Sequence, residues 1–380
     1  MPPIGWSYHC MAWCSATAAT NAAPTAASHK KTRSRRREKA MKRRTRADRA
    51  SPSGEFTCEG VVTIRGGWEE MSGRGIAGSS TEPWSAGYSR SMRGTPDSTK
   101  AWVRAYYAES TALYLRSWAG GAYAFHLGLD DGTCATRDDA LTASNAYLAD
   151  RGRITRGTRV LDAGCGVGGS SMWLARHLEA TVVGITIAPE QVTIADRLAG
   201  EAGLGHLASF HEMDFAATSF PKASFDVVWN IESMCHAFDK PAYARHVYEL
   251  LKPGGRFVCL DMFSAEGCDE AIVRAMCESW SLPSLPSVDA VRRGLSDAGF
   301  GQIESEDLTE RVRRPVEALE AMARNARQVL RIEKVMHGDC SAVHEAHVKG
   351  ALACAEGVQS GSFRYGFVGA TRAPGEGLSP

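Results

Sequence analysis

The segment Arg159–Ala175, RVLDAGCGVGGSSMWLA, constrains the fold of this chain more than any other. A short apolar run ends in Asp162, four glycines follow within seven residues, and an amphipathic helical pattern begins at Ser170. The segment therefore predicts a strand, a tight loop and the N-terminus of a helix. Glycines let a ligand approach the backbone closely, and free N–H groups in a first helical turn favour anionic groups. Such a loop indicates a nucleotide-like ligand.

Two ligand classes compete for this loop. Gly164, Gly166 and Gly169 satisfy the G-x-G-x-x-G pattern of dinucleotide-binding loops. That alternative also needs an acid about 20 residues on, at the end of the second strand, to bind a ribose hydroxyl. The second strand, predicted over 180–186, is followed by Ile187 and offers no carboxylate at its end.

The other pattern, Asp162-x-Gly164-x-Gly166-x-Gly168, resembles the first motif of class I S-adenosylmethionine-dependent methyltransferases. The resemblance extends to the geranyl diphosphate C-methyltransferase, sterol C-methyltransferase and tocopherol methyltransferase group and covers residues 99 to about 372. Four further landmarks agree with it in order and spacing: Gly184–Gln191, Glu212–Phe215, Phe225–Ser233 and Glu249–Phe257. Five elements in register favour the methyltransferase family over the dinucleotide alternative.

The pattern of elements indicates an α/β fold. Strands predicted at 158–163, 180–186, 208–213, 225–231 and 256–263 alternate with helices, which implies a parallel sheet covered on both faces. With the resemblance, this predicts a Rossmann-like seven-stranded class I methyltransferase sheet with an N-terminal aromatic cap helix and a C-terminal helical lid. The expected divisions are cap helices at 99–155, a cofactor-binding core at 156–265, the rest of the sheet with the lid (314–358) at 266–372, and a tail at 373–380.

The resemblance implies a set of cofactor-binding residues. Asp162 and the backbone of the loop would border the methionine part of S-adenosylmethionine, while Asp214 and Phe215 would contact the adenine. Thr186 and Gln191 stand near the position where most class I enzymes carry a ribose-binding acid. The full set is Asp162, Gly164, Cys165, Gly166, Gly168, Thr186, Gln191, Asp214, Phe215 and Asn230. For the two aspartates, the structural alternative is a helix-capping carboxylate.

The segment Asn230–Ala237, NIESMCHA, bears on the reaction. It resembles the corresponding stretches of sterol and geranyl diphosphate C-methyltransferases, which makes Glu232 and His236 the catalytic candidates. An alkene that attacks a methyl sulfonium becomes a carbocation, and a nearby carboxylate, aromatic faces and exclusion of water stabilise it. Glu232 would be the carboxylate and the acceptor of the released proton. Glu232 could instead orient the cofactor or the aromatic segment, and His236 could be a structural histidine.

An aromatic segment precedes the glycine loop and resembles the substrate-capping region of the same group. Its expected substrate contacts are Tyr107, Tyr114, Trp118, Tyr123 and His126. The alternative is an ordinary core stripe at helical spacing.

The net charge of +1 hides a strongly basic segment. Twelve Lys or Arg face two acids between Lys30 and Arg49. This could be a nucleic-acid arm, but low hydrophobicity favours a disordered extension or a translated stretch outside the authentic protein, and residues 1–98 are assigned to it. A non-enzymatic nucleic-acid-binding protein is the alternative from a different class.

The sequence therefore predicts an S-adenosylmethionine-dependent methyltransferase of secondary metabolism that methylates a carbon of a prenyl or terpenoid small molecule. The alternatives are a small-molecule N- or O-methyltransferase and a tocopherol-type ring C-methyltransferase. No resident metal is expected, with Mg²⁺ required only for a diphosphate acceptor. The eleven scattered cysteines indicate free thiols in a reducing compartment. No apolar run reaches the roughly 18 residues of a membrane span, so a cytoplasmic protein is expected, with no nucleic-acid partner and a homo-oligomer compatible with the sequence.

Overall fold

A computed structural model describes residues 95–337 and 342–374. The predictions for the N-terminal extension up to residue 94, and for the tail from residue 375, lie outside the described residues. The described helices, in chain order, are α1 (Pro96–Ser117), α2 (Arg137–Gly152), α3 (Gly169–Leu178), α4 (Pro189–Glu201), α5 (Lys240–Leu250), α6 (Glu270–Ser279), α7 (Val288–Asp297), α8 (Thr309–His337) and α9 (Ala342–Ser360). The strands are β1 (Arg159–Ala163), β2 (Thr181–Thr186), β3 (Ala208–Glu212), β4 (Phe225–Ile231), β5 (Leu251–Ser264), β6 (Phe300–Asp307) and β7 (Phe363–Arg372).

The seven strands form one sheet in the order β3-β2-β1-β4-β5-β7-β6. The chain runs outward from β1 through β2 to β3, then returns to lay β4 on the other side of β1. The strand order thus reverses between β1 and β4. In open α/β sheets a ligand binds beyond the carboxyl ends of the strands at such a reversal.

The sheet is mixed, whereas alternation of strands and helices predicted a parallel one. Strand β7 is antiparallel to both of its neighbours, β5 and β6. Two helices, α8 and α9, connect β6 to β7. After them the chain enters the sheet between β5 and β6 in the opposite direction to both strands. The period of apolar residues does not encode this direction, because buried parallel and antiparallel strands present similar side chains.

The central strands are buried on both faces, which explains their continuous apolar sequences. One core cluster, around Val160, Val227 and Trp229, lies on one face of the sheet, and a second, around Leu161 and Val228, lies on the other. Alternate residues of the same strands supply the two clusters, as the two-residue period of a strand requires.

The two helices before β1 have different positions. Helix α1 begins at a Thr95 cap whose side chain accepts from the N–H of Ser98, and several of its side chains line the cavity described below. Helix α2 instead packs Leu148 and Ala149 into the core around Val160. Of these two helices, α1 therefore lines the cavity and α2 does not.

Helix α8 begins earlier than residue 314, the predicted start, and continues through Pro315. Proline has no N–H, so the carbonyl of Arg311, four residues earlier, cannot be bonded within the helix. The N–H of Asp130 donates to that carbonyl at 2.7 Å. The loop before α2 thereby satisfies the group that Pro315 leaves free, and the helix continues. Helix α6 is not among the elements that the sequence pattern predicts, and it is capped by the Asp269 side chain.

No helix among the residues described here has the length and apolar content to cross a membrane. The seven cysteines described are all free.

Candidate active site

A cavity of about 680 Å³ opens beyond the carboxyl ends of β1 and β4. This volume is within the usual range for small-molecule sites, about 300–1,000 Å³. Most of its wall is apolar or aromatic. Helix α1, the glycine loop, the turn after β4 and helices α8 and α9 contribute to it.

The glycine loop has the backbone that its sequence predicted. Gly164 and Gly166 have φ of +91° and +55°, a region that other residues enter only with strain. A Cβ on Gly164 would lie 2.5 Å from the Cβ of Ser233, in the turn after β4, whereas one on Gly166 would meet only Phe125, at 3.7 Å. Gly164 therefore permits the two loops to touch, and Gly166 keeps space open at the cavity wall.

Asp162 lies at the end of β1 and lines the cavity. Its side chain is buried and accepts a hydrogen bond from the Ser171 hydroxyl at 2.6 Å. Burial raises the pKa of this carboxyl to about 6, against the opposing effect of the Ser171 bond. Because Ser171 is in the first turn of α3, this carboxylate stands beside a helix N-terminus at the cavity wall.

At the end of β2, Thr186 and Gln191 form one polar chain. The Thr186 hydroxyl donates to Gln191 Oε1 at 2.7 Å, and Gln191 Nε2 donates to the hydroxyl of Thr111 at 3.1 Å. Thr111 belongs to α1. These hydrogen bonds therefore connect α1 to the end of β2, where most class I enzymes carry a ribose-binding acid. The side chain in place of the usual acid is thus neutral and already paired.

Asp214, after β3, is fixed from two sides. Its Oδ1 accepts from the N–H of Ala216 at 2.8 Å, and its Oδ2 forms an ion pair with Lys100 of α1 at 2.7 Å. Arg104, one turn further along α1, pairs with Glu212. Phe215 lies edge-on to Tyr243, with ring centroids 5.0 Å apart. Helix α1 is thus held by two ion pairs over the end of β3.

Replacement of Asp214 by alanine should weaken binding of S-adenosylhomocysteine. Loss of a hydrogen bond to a charged acceptor costs about 1.5–3 kcal/mol, or roughly ten- to a hundred-fold in Kd. Titration calorimetry on the folded variant measures this, with Glu212→Ala as the control that removes an ion pair to α1 without touching the cavity wall. Equal losses in both variants would show that attachment of α1, rather than Asp214 itself, is what matters.

Two of the predicted cofactor residues do not line the cavity. A Cβ on Gly168 would lie 2.7 Å from the Phe210 ring, so this glycine serves packing. Asn230 is fully buried in β4, where its Nδ2 donates to the carbonyl of Ala163 at 2.9 Å and its Oδ1 accepts from the Tyr243 hydroxyl at 2.8 Å. Asn230 therefore joins the ends of β1 and β4, and its side chain is bonded within the protein and not exposed to the cavity. The other eight predicted cofactor residues line the cavity.

Glu232 is the first residue after β4 and has a left-handed backbone, with φ of +48°. Such a conformation costs a non-glycine residue about 1–3 kcal/mol and occurs mostly at functional positions. The side chain lines the cavity. Its Oε1 accepts from the N–H of Leu127 at 2.7 Å and from the Tyr365 hydroxyl at 2.9 Å. The carboxyl is thus held by β7 and by the loop between α1 and α2, residues 118–136, here called the cap loop.

The surroundings of the Glu232 carboxyl raise its pKa above the ordinary range. Burial, and next the charge of Asp261, raise the pKa of Glu232 to about 8. Its hydrogen bonds to Leu127 and Tyr365 and the Arg137 guanidinium lower the pKa in part. A positive charge brought into the cavity would favour the ionised form.

Aromatic rings surround Glu232 on the cap side. Tyr114 stacks on Phe125 with centroids 4.7 Å apart, and Tyr107 lies edge-on to His236 at 5.7 Å. The Tyr107 hydroxyl and His236 Nε2 are 3.1 Å apart, within hydrogen-bonding distance. Burial lowers the pKa of His236 to about 4, so its ring is neutral at physiological pH.

The cap loop is held in place by Arg137. Its guanidinium lies over the Trp118 ring, 3.4 Å from the centroid, and donates to the carbonyls of Trp118 and His126 at 2.6 and 2.8 Å. The Trp118 indole donates to the carbonyl of Phe125 at 2.6 Å. Burial lowers the pKa of His126 to about 4. All five predicted substrate residues, Tyr107, Tyr114, Trp118, Tyr123 and His126, line the cavity together with both catalytic candidates, Glu232 and His236.

Several contributors to this site were not selected from the sequence. Tyr365 and Thr111 form hydrogen bonds to groups more than 70 residues away. Arg137 acts through its charge on Glu232, which is also distant in sequence, and no local period marks any of the three. Trp229 also lines the cavity, but within an apolar strand it is indistinguishable from core.

The strands and loops that form the cofactor side of this cavity match a known protein family. Residues 160–255 match the protein family described as "Methyltransferase domain". Two curated relatives are a 2-methyl-6-phytyl-1,4-hydroquinone methyltransferase of Synechocystis (36% identity, 40% of this chain, 50% of the relative) and a sterol 24-C-methyltransferase of Aspergillus fumigatus (31%, 57% and 60%). The chain thus spans about half to three fifths of the length of these relatives.

Solved structures agree with the fold over a longer stretch. The [4+2]-cyclase SpnF is 25% identical, with a TM-score of 0.60 over 72% of this chain and 96% of its own. The geranyl diphosphate C-methyltransferase of Streptomyces coelicolor A3(2) is 20% identical, with a TM-score of 0.57 over 72% and 98%. The fold is that of the class I S-adenosylmethionine-dependent methyltransferases, as its resemblance predicted.

Proposed function

We propose that this chain, which carries a class I methyltransferase domain, transfers a methyl group from S-adenosylmethionine to a carbon of a prenyl or terpenoid small molecule. One observation carries the choice of carbon: the Glu232 carboxyl, held by two hydrogen bonds, faces an aromatic cavity next to the glycine loop. The sterol and geranyl diphosphate relatives, which are carbon methyltransferases by name, support it.

The cavity residues fit S-adenosylmethionine. The open space at Gly166 accommodates a ligand against the loop backbone, and the buried Asp162 carboxyl offers an acceptor for the methionine amino group. Asp214 and Phe215 supply an acceptor and an aromatic face suited to the adenine. When bound, S-adenosylmethionine supplies an electrophilic methyl group on a sulfonium and leaves as the neutral thioether.

Glu232 would act on the acceptor after its carbon–carbon double bond has taken up the methyl group. The acceptor then carries the positive charge as a carbocation, and an ionised carboxylate stabilises it electrostatically. Loss of a proton from the neighbouring carbon to Glu232 restores the double bond. The raised pKa suits this second step, because a stronger base takes the proton more readily.

The cap side would protect the cation. Tyr107, Tyr114 and Phe125 present ring faces or edges to the cavity near Glu232, and cation–π attraction to such rings contributes about 0.5–2 kcal/mol each. Helices α8 and α9 close the opposite side with small and apolar residues such as Ala323 and Ala351. Water that would quench a cation is thereby kept from the reacting carbon.

The wall favours an uncharged acceptor over a diphosphate. Among the described residues that line the cavity, Lys100 is the one Lys or Arg. Its ammonium group already forms an ion pair with Asp214. The metal-ligating cluster found among the described residues, Asp130, Asp131 and Cys134, does not line the cavity. The residues present therefore do not fit a Mg²⁺-bound diphosphate, and no step is assigned to a metal.

Incubation with methyl-labelled S-adenosylmethionine and a panel of acceptors tests this function. We expect transfer to uncharged prenylated aromatics or sterol-like molecules, with the label on carbon by NMR of the product, and little transfer to geranyl diphosphate. Label on oxygen or nitrogen would establish the alternative O- or N-methyltransferase. Label on an aromatic ring carbon would establish the tocopherol-type alternative, which the hydroquinone relative supports by name.

Tyr365→Phe should shift the pH profile of turnover. The Tyr365 hydroxyl lowers the pKa of Glu232, so its removal raises that pKa. A hydrogen bond to a charged group is worth about 1.5 kcal/mol or more, which is about one pH unit. If Glu232 acts as a base, the acid limb of the kcat profile moves to higher pH by about this amount, and kcat above the limb is restored. A uniform loss at every pH would assign Tyr365 a purely structural part.

A further inference from the structure

The C-terminal half of α8 carries an unusual surface next to the cavity mouth. Val329, Ile332 and Val335 are 51%, 63% and 84% exposed, in contrast to the apolar residues of the core. Met322, on the same side of the helix, is 39% exposed and also lines the cavity with Val329. These four residues, here called the α8 strip, continue the apolar cavity wall out to the protein surface.

Two further exposed aromatic side chains line the same cavity. Tyr123 of the cap loop and Phe238, after the turn that follows β4, are 39% and 40% exposed and line the cavity. The mouth is thus bordered by large apolar side chains from three separate segments. Large apolar side chains that are exposed around the opening of one cavity are typical of an interaction site.

The charges of the helix are distributed to one side of the strip. At 100° per residue, Arg324, Arg327 and Arg331 fall on one face of α8, between the strip and the face that packs Ala323 against α9. All three arginines are exposed. Arg324 pairs with Glu320, and among the described residues no ion pair is formed by the other two. An apolar strip beside a row of cations is the pattern of helices that lie in the interface of an anionic membrane.

We propose that the α8 strip and its arginines dock this chain on an anionic lipid surface, with the cavity mouth facing the lipid. The apolar side chains would enter the boundary between headgroups and acyl chains, and the arginines would contact anionic headgroups. An uncharged apolar acceptor dissolved in the bilayer would then reach the cavity without crossing water. This goes beyond methyl transfer and does not depend on the atom that is methylated.

Vesicle flotation of the full chain tests the docking surface. The probes are vesicles of phosphatidylcholine with and without phosphatidylglycerol. We expect binding to the anionic vesicles that weakens with salt, and a decrease of about ten-fold or more in the double variant Ile332→Glu, Val335→Glu. Neither residue lines the cavity, and both are exposed, so the variant should melt at the temperature of the parent.

Charge reversal separates the arginines of α8 from general electrostatics. Arg327→Glu with Arg331→Glu should reduce binding to anionic vesicles several-fold. The matched control reverses Arg176 and Arg245, which are exposed on α3 and α5 away from the strip, and should bind as the parent does. The parent, the α8 variants and the control all keep the basic segment at 30–49. A difference in binding between the α8 variants and the control therefore comes from α8 and not from that segment.

Hydrogen–deuterium exchange locates the contact. Peptides covering 322–335 should be protected when anionic vesicles are added, while those of α3 and α5 should not change. Absence of vesicle binding, or binding that survives both α8 variants, would overturn the proposal. Salt-sensitive retention on an immobilised acidic carrier protein, lost in the arginine variant and without any vesicle binding, would replace the lipid with a protein partner. Every readout omits the acceptor, so failure here leaves the proposed methyl transfer untouched.

Discussion

Glu232→Gln is expected to lower turnover by about 100-fold or more while leaving cofactor affinity nearly unchanged. The amide keeps the shape and can still accept from Leu127 and Tyr365, but it has no charge to stabilise a cation and takes up no proton. Groups that act mainly in the transition state affect kcat rather than binding, and losses of this size are typical of charge-stabilising and proton-transferring groups. Single-turnover kinetics beside titration of S-adenosylhomocysteine measures both quantities on one preparation.

A matched control is available for this variant. Glu356→Gln removes a carboxylate from an exposed position of α9 that does not line the cavity, and it should behave as the parent. Near-normal turnover in Glu232→Gln would end the carbocation mechanism but leave the methyltransferase assignment intact. A mild loss of rate together with loss of cofactor binding would instead place Glu232 among the residues that orient the cofactor.

Gly166→Val is expected to abolish cofactor binding in a folded protein. The new side chain would project beside Phe125 into the cavity, where the ligand would contact the loop. The left-handed backbone at this position adds strain of about 1–2 kcal/mol, which a domain of this size tolerates. Calorimetry with S-adenosylhomocysteine and a thermal melt on the same sample separate lost binding from lost fold.

Gly157→Val is the matched control. Gly157 has φ of +79° and no atom within 4 Å of an added Cβ, so this variant also places valine on a left-handed backbone but away from the cavity. It should lose some thermal stability and bind the ligand normally. Equal loss of affinity in both variants would attribute the effect to strain and contradict the position assigned to the loop.

The local elements of the site were predictable. The left-handed glycines follow from their spacing after an apolar run. Asp162 and Thr186 lie in the last two residues of predicted strands, and Asp214 and Glu232 directly follow predicted strands. Since parallel strands bring their carboxyl ends to one edge, residues far apart in sequence were expected to meet, and they line one cavity. Their roles remain predictions until the variants above are measured.

The partners of these residues were not predictable in the same way. Asn230 has the position of a ligand contact in the sequence, yet its amide bonds the carbonyl of Ala163 across the sheet. Tyr365 holds Glu232 only because β7 is inserted antiparallel beside β5. The pairing register of β1 and β4 decides the first contact, and the direction of β7 decides the second. The local pattern of apolar and polar residues predicts neither of them.

The sequence by itself determined the elements, the glycine loop and the strand ends at which polar groups stand, because these depend on backbone freedom and on the period of apolar residues. Only the tertiary structure decided which neighbours each polar group has: Lys100 on Asp214, Leu127 and Tyr365 on Glu232, and Arg137 beneath the cap loop. Burial and charge at short distance set the pKa of a carboxyl. Whether Glu232 is an ordinary acid or a poised base is therefore a property of contacts between segments more than 90 residues apart, which come together only in the folded chain.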